Sequence, residues 1–550
     1  MKPIKGIIIF GAVATSSLLW LQEKTDDRPN FIFILTDDQS VGLMGCEGNR
    51  IVKTPNLDSL AAQGIRFTNA YVTSAISTPS RVSIFTGQYE RKHGVNFNSG
   101  TSLDLEAWSL SYPLLLRKAG YYTGYIGKNH SPVGNGGYES GVIEKSFDYW
   151  YAAHGHLRFY PKERNKIFSH AEQDTQIEVI EEGVLDFLCN ERSLEGAIRF
   201  IDRRPAGQPF CLSISFNLPH NAGTSSMELR LSDDEIYKSL YRDVDIPLPP
   251  DYVAKADIVT PKIPEEVLRY RDRQTSYDYV DTPYGVRERT IRKYQSMTGI
   301  DRMVGNIIET LAENQLDRNT IIIFTSDHGK FMGQFGLGGK ALCYQACIHV
   351  PFIIFNPMSS SDARGRVVDE LVQTIDIAPT MLSLAGLDIP KSMQGKDLSA
   401  ILNGEVKPIR EYIFTENLWS THFGNPRIEA VQDKEWKYIR YYRNDNLSFR
   451  EKLRVAEEIG IPARSLQAVT DYDLLVYRHY IESSLNEEPA VFEELFNLKE
   501  DPRETTNLID DPAFAAELQR MREAWWLMLN KARGKGPPKV IRYTEESKGT

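Results

Sequence analysis

Acidic, basic and imidazole side chains follow four short apolar segments, each directly beyond the point where the segment ends. These side chains are Asp37 and Asp38, Lys128 and His130, His220, and Asp327 and His328. Carboxylates gathered in a buried site repel one another, and a hard divalent cation such as Ca²⁺ relieves that repulsion by taking oxygen ligands. Lysine and histidine beside such a cation can hold an anion and transfer protons. The residue types therefore predict a site where a metal ion and basic groups act on an anionic substrate.

A serine near a predicted helix start is a second candidate for this chemistry. Residues 77–87 read Ser-Thr-Pro-Ser-Arg-Val-Ser-Ile-Phe-Thr-Gly. Pro79 suits the first turn of a helix, so Ser77 is predicted to lie at a helix N-terminus. Backbone N–H groups there favour a bound anion, and Arg81 would add a permanent charge with a planar fork. The alternative is an ordinary capping serine before a surface helix, and these residues alone leave both interpretations open.

The four apolar segments are predicted to be the strands that position these groups. They cover residues 31–35, 122–126, 210–216 and 321–324. Each is rich in aromatic or β-branched residues and too short for a helix. Their alternation with amphipathic stretches is typical of an α/β fold with a central, mostly parallel sheet flanked by helices. Ligands bind at the carboxyl edge of such a sheet, so four strands are expected to direct polar groups into one crevice.

The chain is predicted to have three parts. Residues 1–22 combine a basic start with an apolar run, which is shorter than the about 20 residues of a membrane span. This pattern is typical of a secretory signal peptide, which predicts a periplasmic or secreted protein with no stable membrane span; a membrane anchor is the alternative. Residues 28–405 are predicted to form the large α/β domain. Residues 406–550 are predicted to form a smaller α+β domain, with a strand at 438–442 and a closing helix near 513–532.

The overall composition restricts the possible partners. The 550 residues include 64 basic and 74 acidic side chains, which gives a net charge of -10. Nucleic acid is excluded as a partner because the chain offers it no broad cationic surface, and any anionic ligand has to be met by local cations. Five cysteines without paired spacing indicate neither a disulfide framework nor a thiolate zinc site.

Two motifs resemble the signatures of the sulfatase family of the alkaline phosphatase superfamily. Ser77-x-Pro-Ser-Arg81, followed by Thr86-Gly87, is similar to the first signature, whose leading Cys or Ser is oxidised to formylglycine. Residues 120–130 resemble the second signature at about its usual distance. Further family matches are Asp37-Asp38, residues 219–220, residues 326–329 with Lys340, and motifs in residues 494–508. The resemblance spans about residues 28–508 and implies an alkaline-phosphatase-like fold.

The resemblance implies an enzyme that hydrolyses sulfate ester bonds. It implies that a formylglycine-generating maturase oxidises Ser77, the modified residue, to an aldehyde whose hydrated form carries two hydroxyl groups. One hydroxyl attacks sulfur and forms a covalent sulfated intermediate. The other lets this intermediate collapse, so that sulfate leaves and the aldehyde returns. The reaction is thereby divided into two easier steps.

The resemblance also implies roles for the other side chains. It implies one Ca²⁺ per chain, with the ligands Asp37, Asp38, Ser77, Asp327 and His328. Because oxygen ligands are the usual partners of calcium, an alternative is that His328 only bonds the sulfate. The residues implied to bind sulfate are Arg81, Lys128, His220 and Lys340. His130 is implied to be the base in sulfate release, and His220 the general acid for the leaving alcohol.

The substrate implied by an exported bacterial member of this size is a sulfated carbohydrate. A segment rich in Pro, Tyr and charge, residues 223–292, is predicted to be a long irregular connection that shapes the pocket. Its aromatic and basic side chains could recognise a sugar by stacking and by charge. His154 and His156 are further candidates for lining the substrate crevice.

Two other functions compete with this interpretation. A two-metal phosphatase or phosphodiesterase of the same superfamily would need an Asp-x-x-x-His element, but Asp301 is followed at that spacing by Gly305. A single-metal sulfatase therefore fits better. If Ser77 is not converted, the same cations and Ca²⁺ would bind sulfated glycans without cleaving them.

Overall fold

A computed structural model describes most of the chain. The described residues are 27–96, 101–154, 196–220, 239–264, 267, 278–405, 407–418, 426–442, 481–536 and 540–542. The predicted signal peptide, residues 1–22, lies outside them, as does His156. Among the described residues, no helix has both the length and the apolar character that a membrane crossing requires.

The described chain alternates strands and helices through its first three quarters and ends in an antiparallel sheet and a helix. The strands are β1 Asn30–Thr36, β2 Ile65–Tyr71, β3 Thr101–Leu103, β4 Tyr122–Asn129, β5 Tyr149–His154, β6 Phe210–Ser215, β7 Thr320–Ser326, β8 Phe331–Met332, β9 Gly338–Gly339, β10 Phe352–Phe355, β11 Arg366–Gln373, β12 Ile413–Asn417, β13 Arg427–Gln432, β14 Trp436–Tyr442, β15 Phe492–Asn497 and β16 Val540–Arg542. The helices are α1 Pro55–Gln63, α2 Ser77–Thr86, α3 Glu90–His93, α4 Leu105–Ser109, α5 Tyr112–Lys118, α6 Val142–Lys145, α7 Ala197–Arg203, α8 Pro283–Glu313, α9 Gln345–Ile348, α10 Ile377–Leu384, α11 Ser399–Leu402 and α12 Ala515–Arg533.

The central sheet has eight strands in the order β11-β2-β10-β7-β1-β6-β4-β5. All neighbouring pairs are parallel except those of β10, which runs antiparallel to both β2 and β7. The four strands predicted from the sequence are β1, β4, β6 and β7, and they are consecutive in this order. The prediction of an α/β fold with a mostly parallel sheet is therefore confirmed.

Both faces of the sheet are covered, which explains why its strands are apolar almost throughout. Every residue of β1 is buried. Phe31 and Phe33 face one apolar cluster, whereas Ile32 and Ile34 face another on the opposite side. Helix α8 contributes to the second cluster, while α5 and α10 contribute to the first.

The C-terminal part contains a four-stranded antiparallel sheet, β12-β13-β14-β15. Helix α12 packs on it, and Met521, Trp525 and Leu529 form an apolar cluster with Phe414 and Tyr438. The predicted smaller α+β unit with a closing helix is confirmed by this arrangement. The limits of the domains, residues 28–405 and 406–550, stay predictions.

The prediction that residues 223–292 form an irregular connection was wrong at the C-terminal end of this segment. Helix α8 begins at Pro283. The side chain of Thr282 accepts a hydrogen bond from the backbone N–H of Gly285, and Pro283 occupies the first turn. This is an ordinary start signal, a capping threonine followed by proline, that the composition of the segment concealed. Part of the segment lies outside the described residues.

Candidate active site

The carboxyl ends of neighbouring strands bring the predicted metal ligands together. β1 and β7 pair in parallel, with Thr36 opposite Ser326. The residues that follow the two strands, Asp37 with Asp38 and Asp327 with His328, are therefore adjacent. Asp38 has φ of 61°, a left-handed conformation that Asp tolerates better than most residues. Its backbone N–H donates to Asp327 Oδ1 at 3.3 Å.

Helix α2 places Ser77 at the same edge of the sheet. The helix runs from Ser77 to Thr86, and all of its residues are buried. The alternative of a capping serine before a surface helix is therefore wrong. Ser77 Oγ lies 3.1 Å from His328 Nε2. One turn into the helix, Ser80 Oγ donates to the carbonyl of Asp327 at 2.5 Å, so the helix start is tied to the end of β7.

Arg81 joins two of the carboxylates. Its Nη2 lies 2.7 Å from Asp37 Oδ2 and its Nε lies 2.9 Å from Asp327 Oδ2, and all three side chains are fully buried. Lys128 at the end of β4 makes a second ion pair with Asp37 at 2.5 Å. Burial acts to raise the pKa of Asp37, but Lys128, His220 and Arg81 together hold that pKa well below its usual value. The carboxyl group is therefore ionised.

Asp38 is surrounded by basic side chains, of which His220 also acts on Asp37. Lys340 Nζ lies 2.9 Å from Asp38 Oδ1, Lys330 Nζ lies 2.8 Å from Asp38 Oδ2, and His220 Nε2 lies 3.7 Å from the same oxygen. Burial raises the pKa of Asp38, and these three basic groups outweigh that effect, so the net pKa lies well below its usual value. The site thus combines ionised carboxylates with closely spaced basic groups, although burial lowers the pKa of Lys330 well below its usual value and also lowers the pKa of Lys128.

Two overlapping groups of side chains have the geometry of a metal site. Asp37, Asp327 and His328 each offer a ligand atom within 4.8 Å of the others, and so do Asp37, Asp38 and His220. Asp37 Oδ1 is buried and makes no hydrogen bond among the described residues. Burial lowers the pKa of His328, which keeps its imidazole neutral and able to donate a lone pair. A buried, ionised oxygen without a hydrogen bond fits a divalent cation.

His130 lies beyond the end of β4, two residues after Lys128. It is 6% exposed, and its ring centroid lies 6.2 Å from that of Tyr138. The predicted site residues follow the carboxyl ends of four consecutive strands or lie at the start of α2, except for Lys340, which follows β9 and reaches Asp38 from there. Their individual roles stay predictions.

Comparison with known protein families identifies the family of this chain. A family model described as Sulfatase matches residues 29–387. The chain belongs to the sulfatase family. It is accordingly a sulfuric ester hydrolase. A second model, described as the C-terminal part of N-sulphoglucosamine sulphohydrolase, matches residues 333–451 of this sulfatase.

Known relatives resemble the sulfatase over most of its length. An N-acetylglucosamine-6-O-sulfatase of Bacteroides thetaiotaomicron is 25% identical, with 95% of this chain and 90% of the relative covered. An arylsulfatase of Clostridium perfringens is 29% identical, with coverages of 75% and 85%. Among solved structures, a putative sulfatase from Bacteroides fragilis has a TM-score of 0.65 at 24% identity, with 95% of this chain and 98% of that chain covered. A phosphonate monoester hydrolase of Agrobacterium radiobacter has the same fold, with a TM-score of 0.63 at 20% identity and coverages of 91% and 95%.

Three buried cations near the site were missed by the sequence analysis. They are Arg289, Lys293 and Lys330. Arg289 donates to the carbonyl of His220 at 2.9 Å, and Lys293 Nζ lies 3.4 Å from the carbonyl of Asp38. Lys330 follows His328 by two residues, and that spacing could have identified it. Arg289 lies in the part of α8 that was predicted to be irregular, and Lys293 directly follows that segment.

Asp301 has a structural position in the sulfatase. On α8, its carboxylate accepts hydrogen bonds from the backbone N–H of Leu57 at 2.8 Å and from Asn56 Nδ2 at 2.9 Å. It thereby ties α8 to the start of α1. These contacts agree with the absence of a histidine at position 305, which argued against a second metal ion.

Proposed function

We propose that this sulfatase hydrolyses sulfate esters of carbohydrates, with Ser77, once oxidised to formylglycine, as the nucleophile. The observation that carries the proposal is the placement of Ser77 at the buried N-terminus of α2, with its Oγ 3.1 Å from His328 and with ionised carboxylates and cations around it. The hydrated aldehyde would form a covalent sulfated enzyme and then release sulfate. A helix N-terminus also favours the negative charge that develops on a transferring sulfate group.

The carboxylate cluster is proposed to hold one Ca²⁺. Its ligands would be Asp37, Asp38, Asp327 and His328, together with the oxygen of residue 77. The cation supplies charge that stabilises the nucleophilic oxygen and the sulfate oxygens when it is bound. Arg81 contributes by holding Asp37 and Asp327 in position, because its Nε and Nη2 both bond to their carboxylates.

The remaining residues are proposed to bind the sulfate and move protons. Lys128 and Lys340 are fixed by ion pairs with Asp37 and Asp38 and would neutralise sulfate oxygens, with Arg81 adding its charge. His220 would protonate the leaving alcohol oxygen as the S–O bond breaks. His130 would accept the proton of the second hydroxyl during sulfate release. Such acid and base catalysis contributes about 10²- to 10⁴-fold to a rate.

The names of relatives support a carbohydrate substrate, and the pattern of residues 1–22 supports export. One relative is named an N-acetylglucosamine-6-O-sulfatase, and another, from Formosa agariphila, an ulvan-active sulfatase. A solved structure with a TM-score of 0.61 at 21% identity contains D-glucosamine-2-N,6-O-disulfate, described as the substrate of that protein. We infer a sulfated sugar as substrate, a serine-accepting maturase as partner, and a periplasmic or secreted location after removal of residues 1–22.

The test compares sulfate with phosphate release. Protein from cells that contain a serine-type maturase is first analysed by mass spectrometry of the peptide that spans Ser77, and loss of two hydrogens is expected. Matched aryl sulfates and aryl phosphates, followed by a panel of sulfated mono- and disaccharides, then define the reaction. Faster phosphate release would refute the proposed reaction in favour of the phosphatase alternative, and an unmodified Ser77 in protein from the native host would refute catalysis by formylglycine.

A further inference from the structure

A buried chain of hydrogen bonds lies beside the turn that carries His130. β4 and β5 are parallel neighbours, and their register sets Asn129 opposite His154. Asn129 Nδ2 lies 2.7 Å from His154 Nδ1, and His154 Nε2 lies 2.7 Å from Glu144 Oε1. The side chains of His154 and Glu144 are 2% and 1% exposed. His154 is therefore buried, with both ring nitrogens hydrogen-bonded within the protein, and the suggestion that it lines the substrate crevice stays a prediction.

The donors and acceptors of this chain have a single consistent direction. Asn129 Oδ1 accepts a hydrogen bond from the backbone N–H of Ser131 at 3.0 Å, which fixes the orientation of the amide. Its Nδ2 faces His154 and can only donate, so His154 Nδ1 has to accept. The proton of the neutral imidazole is then on Nε2, where it is donated to Glu144. Glu144 thus selects the tautomer of His154, which in turn holds the amide of Asn129.

The last bond of the chain controls the backbone at His130. The bond from Ser131 to Asn129 spans His130 and fixes the turn in which the chain leaves β4. The ring of Tyr138 makes a second connection, since its centroid lies 6.2 Å from that of His130 and 5.2 Å from that of His154. Lys128, two residues earlier, is held independently by its ion pair with Asp37. Loss of the chain would therefore displace His130 while leaving Lys128 in place.

We propose that Glu144, His154 and Asn129 are positioning residues that hold His130 for sulfate release. The assignment rests on the proposed function. In that second step, His130 takes the proton of the remaining hydroxyl, the oxygen forms the carbonyl double bond, and the C–O bond to sulfate breaks with its electrons leaving on sulfate. In the first step, the deprotonated oxygen of one hydroxyl bonds to sulfur, the S–O bond of the ester breaks and His220 protonates the leaving alcohol, so this step does not use His130. A displaced His130 slows the second step alone.

Three variants separate positioning from a general loss of structure. Asn129→Asp keeps the acceptor for Ser131 but removes the N–H that His154 requires. His154→Leu removes both of its hydrogen bonds. Glu144→Gln keeps an oxygen acceptor for His154 and should retain most of the activity. The matched control is His349→Gln, because His349 is partly buried, bonds to the carbonyl of Thr68 at 2.7 Å and stacks on Tyr71.

The measurement resolves the two steps with an aryl sulfate, using enzyme whose Ser77 is converted. Stopped-flow absorbance follows release of the phenol in the first turnover, steady-state assays follow sulfate, and intact-mass spectrometry detects enzyme heavier by one SO₃ group. For Asn129→Asp and His154→Leu we expect steady-state turnover to fall about 10- to 100-fold, the scale of a misplaced catalytic group. Phenol should still be released in an initial burst equal to the enzyme concentration, with accumulation of the sulfated enzyme. The control should show no burst.

The possible outcomes are distinct. Equal losses in both phases without sulfated enzyme would reveal a purely structural role and overturn the assignment, as would unchanged turnover in Asn129→Asp. Thermal unfolding midpoints identify any variant that fails to fold, and Asn129→Asp then remains as the nearly isosteric test. If wild-type enzyme with converted Ser77 releases no sulfate from any ester, the proposed function fails first and this assignment fails with it.

Discussion

Arg81 should be essential for the stability of the metal-free protein and less so once a cation is bound. Its guanidinium group joins Asp37 and Asp327 in a fully buried site. In Arg81→Met, Asp37 keeps Lys128 at 2.5 Å. Asp327 keeps the backbone N–H of Asp38 at 3.3 Å, and its other partner among the described ion pairs is the neutral ring of His328 at 3.6 Å. The variant therefore leaves one buried carboxylate without a permanent cation.

The loss of this cation predicts how much free energy of unfolding the substitution costs. Breaking a buried ion pair by removing one partner costs about 3 to 5 kcal/mol. Burial acts to lower the pKa of Arg81, but Asp327 and Asp37 raise it above its usual value, so the free energy is lost at every pH where those carboxylates are ionised. A cation bound by Asp37 and Asp327 replaces the missing charge. Its stabilisation reaches about 2.7 kcal/mol at 100 times its dissociation constant.

Urea unfolding of the unconverted Ser77 protein, with chelator and with CaCl₂, measures both effects. We expect Arg81→Met to lose about 3 kcal/mol or more in chelator and to recover at least about 1 kcal/mol of this difference with Ca²⁺. Arg81→Lys keeps the positive charge but not the planar fork of the guanidinium group. Its free energy of unfolding should lie between those of wild type and Arg81→Met. A cost below about 1 kcal/mol, or a difference from wild type that Ca²⁺ leaves unchanged, would refute the linkage of Arg81 to the metal site.

Three further predictions concern proton transfer, pH and helix packing. His220→Gln should lower kcat/KM for alkyl sulfates about 10²- to 10⁴-fold. It should affect aryl sulfates with good leaving groups much less, because those leaving groups need no proton. Equal losses of kcat/KM on both substrate classes would contradict the role of His220 as the general acid. Burial raises the pKa of Glu494 from 4.5 to about 7, so its contribution to stability is complete below pH 4.5 and is lost as the pH rises through about 7. The hydroxyls of Tyr344 and Tyr441 both donate to Glu494 Oε2, at 2.8 and 2.7 Å, so the single oxygen of Glu494→Gln can keep both bonds. This variant should be more stable than wild type above pH 7, by on the order of 3 kcal/mol, with no advantage at pH 4.5. A pH-independent difference in thermal unfolding would exclude this titration. Asp301→Ala should cost about 1 to 3 kcal/mol in urea unfolding, because it leaves the buried N–H of Leu57 unpaired. It should leave kcat unchanged, whereas a loss of kcat would place Asp301 in the catalytic machinery.

The strand segments, the helix that begins at Ser77 and the groups beyond the strand ends were predictable because each depends on local properties. An apolar run with β-branched and aromatic residues forms a strand covered on both faces, and the polar residue after it lies at the edge of the sheet. Pro79 and the change from polar to apolar residues likewise marked the start of α2. The composition of residues 223–292 was less informative, since it concealed the start of α8 at Pro283.

What remained undetermined was which groups meet across the sheet. The four predicted strands are neighbours in a sheet whose two faces are covered by helices. Strand β10 lies antiparallel between β2 and β7, and no local sequence pattern indicated this position. The pairing of Asn129 with His154 depends on the register of β4 against β5, and Glu144 joins them from α6. The local chain thus decides which residues are polar and lie at strand ends, whereas burial and strand order decide which become partners, because both depend on contacts between segments far apart in sequence.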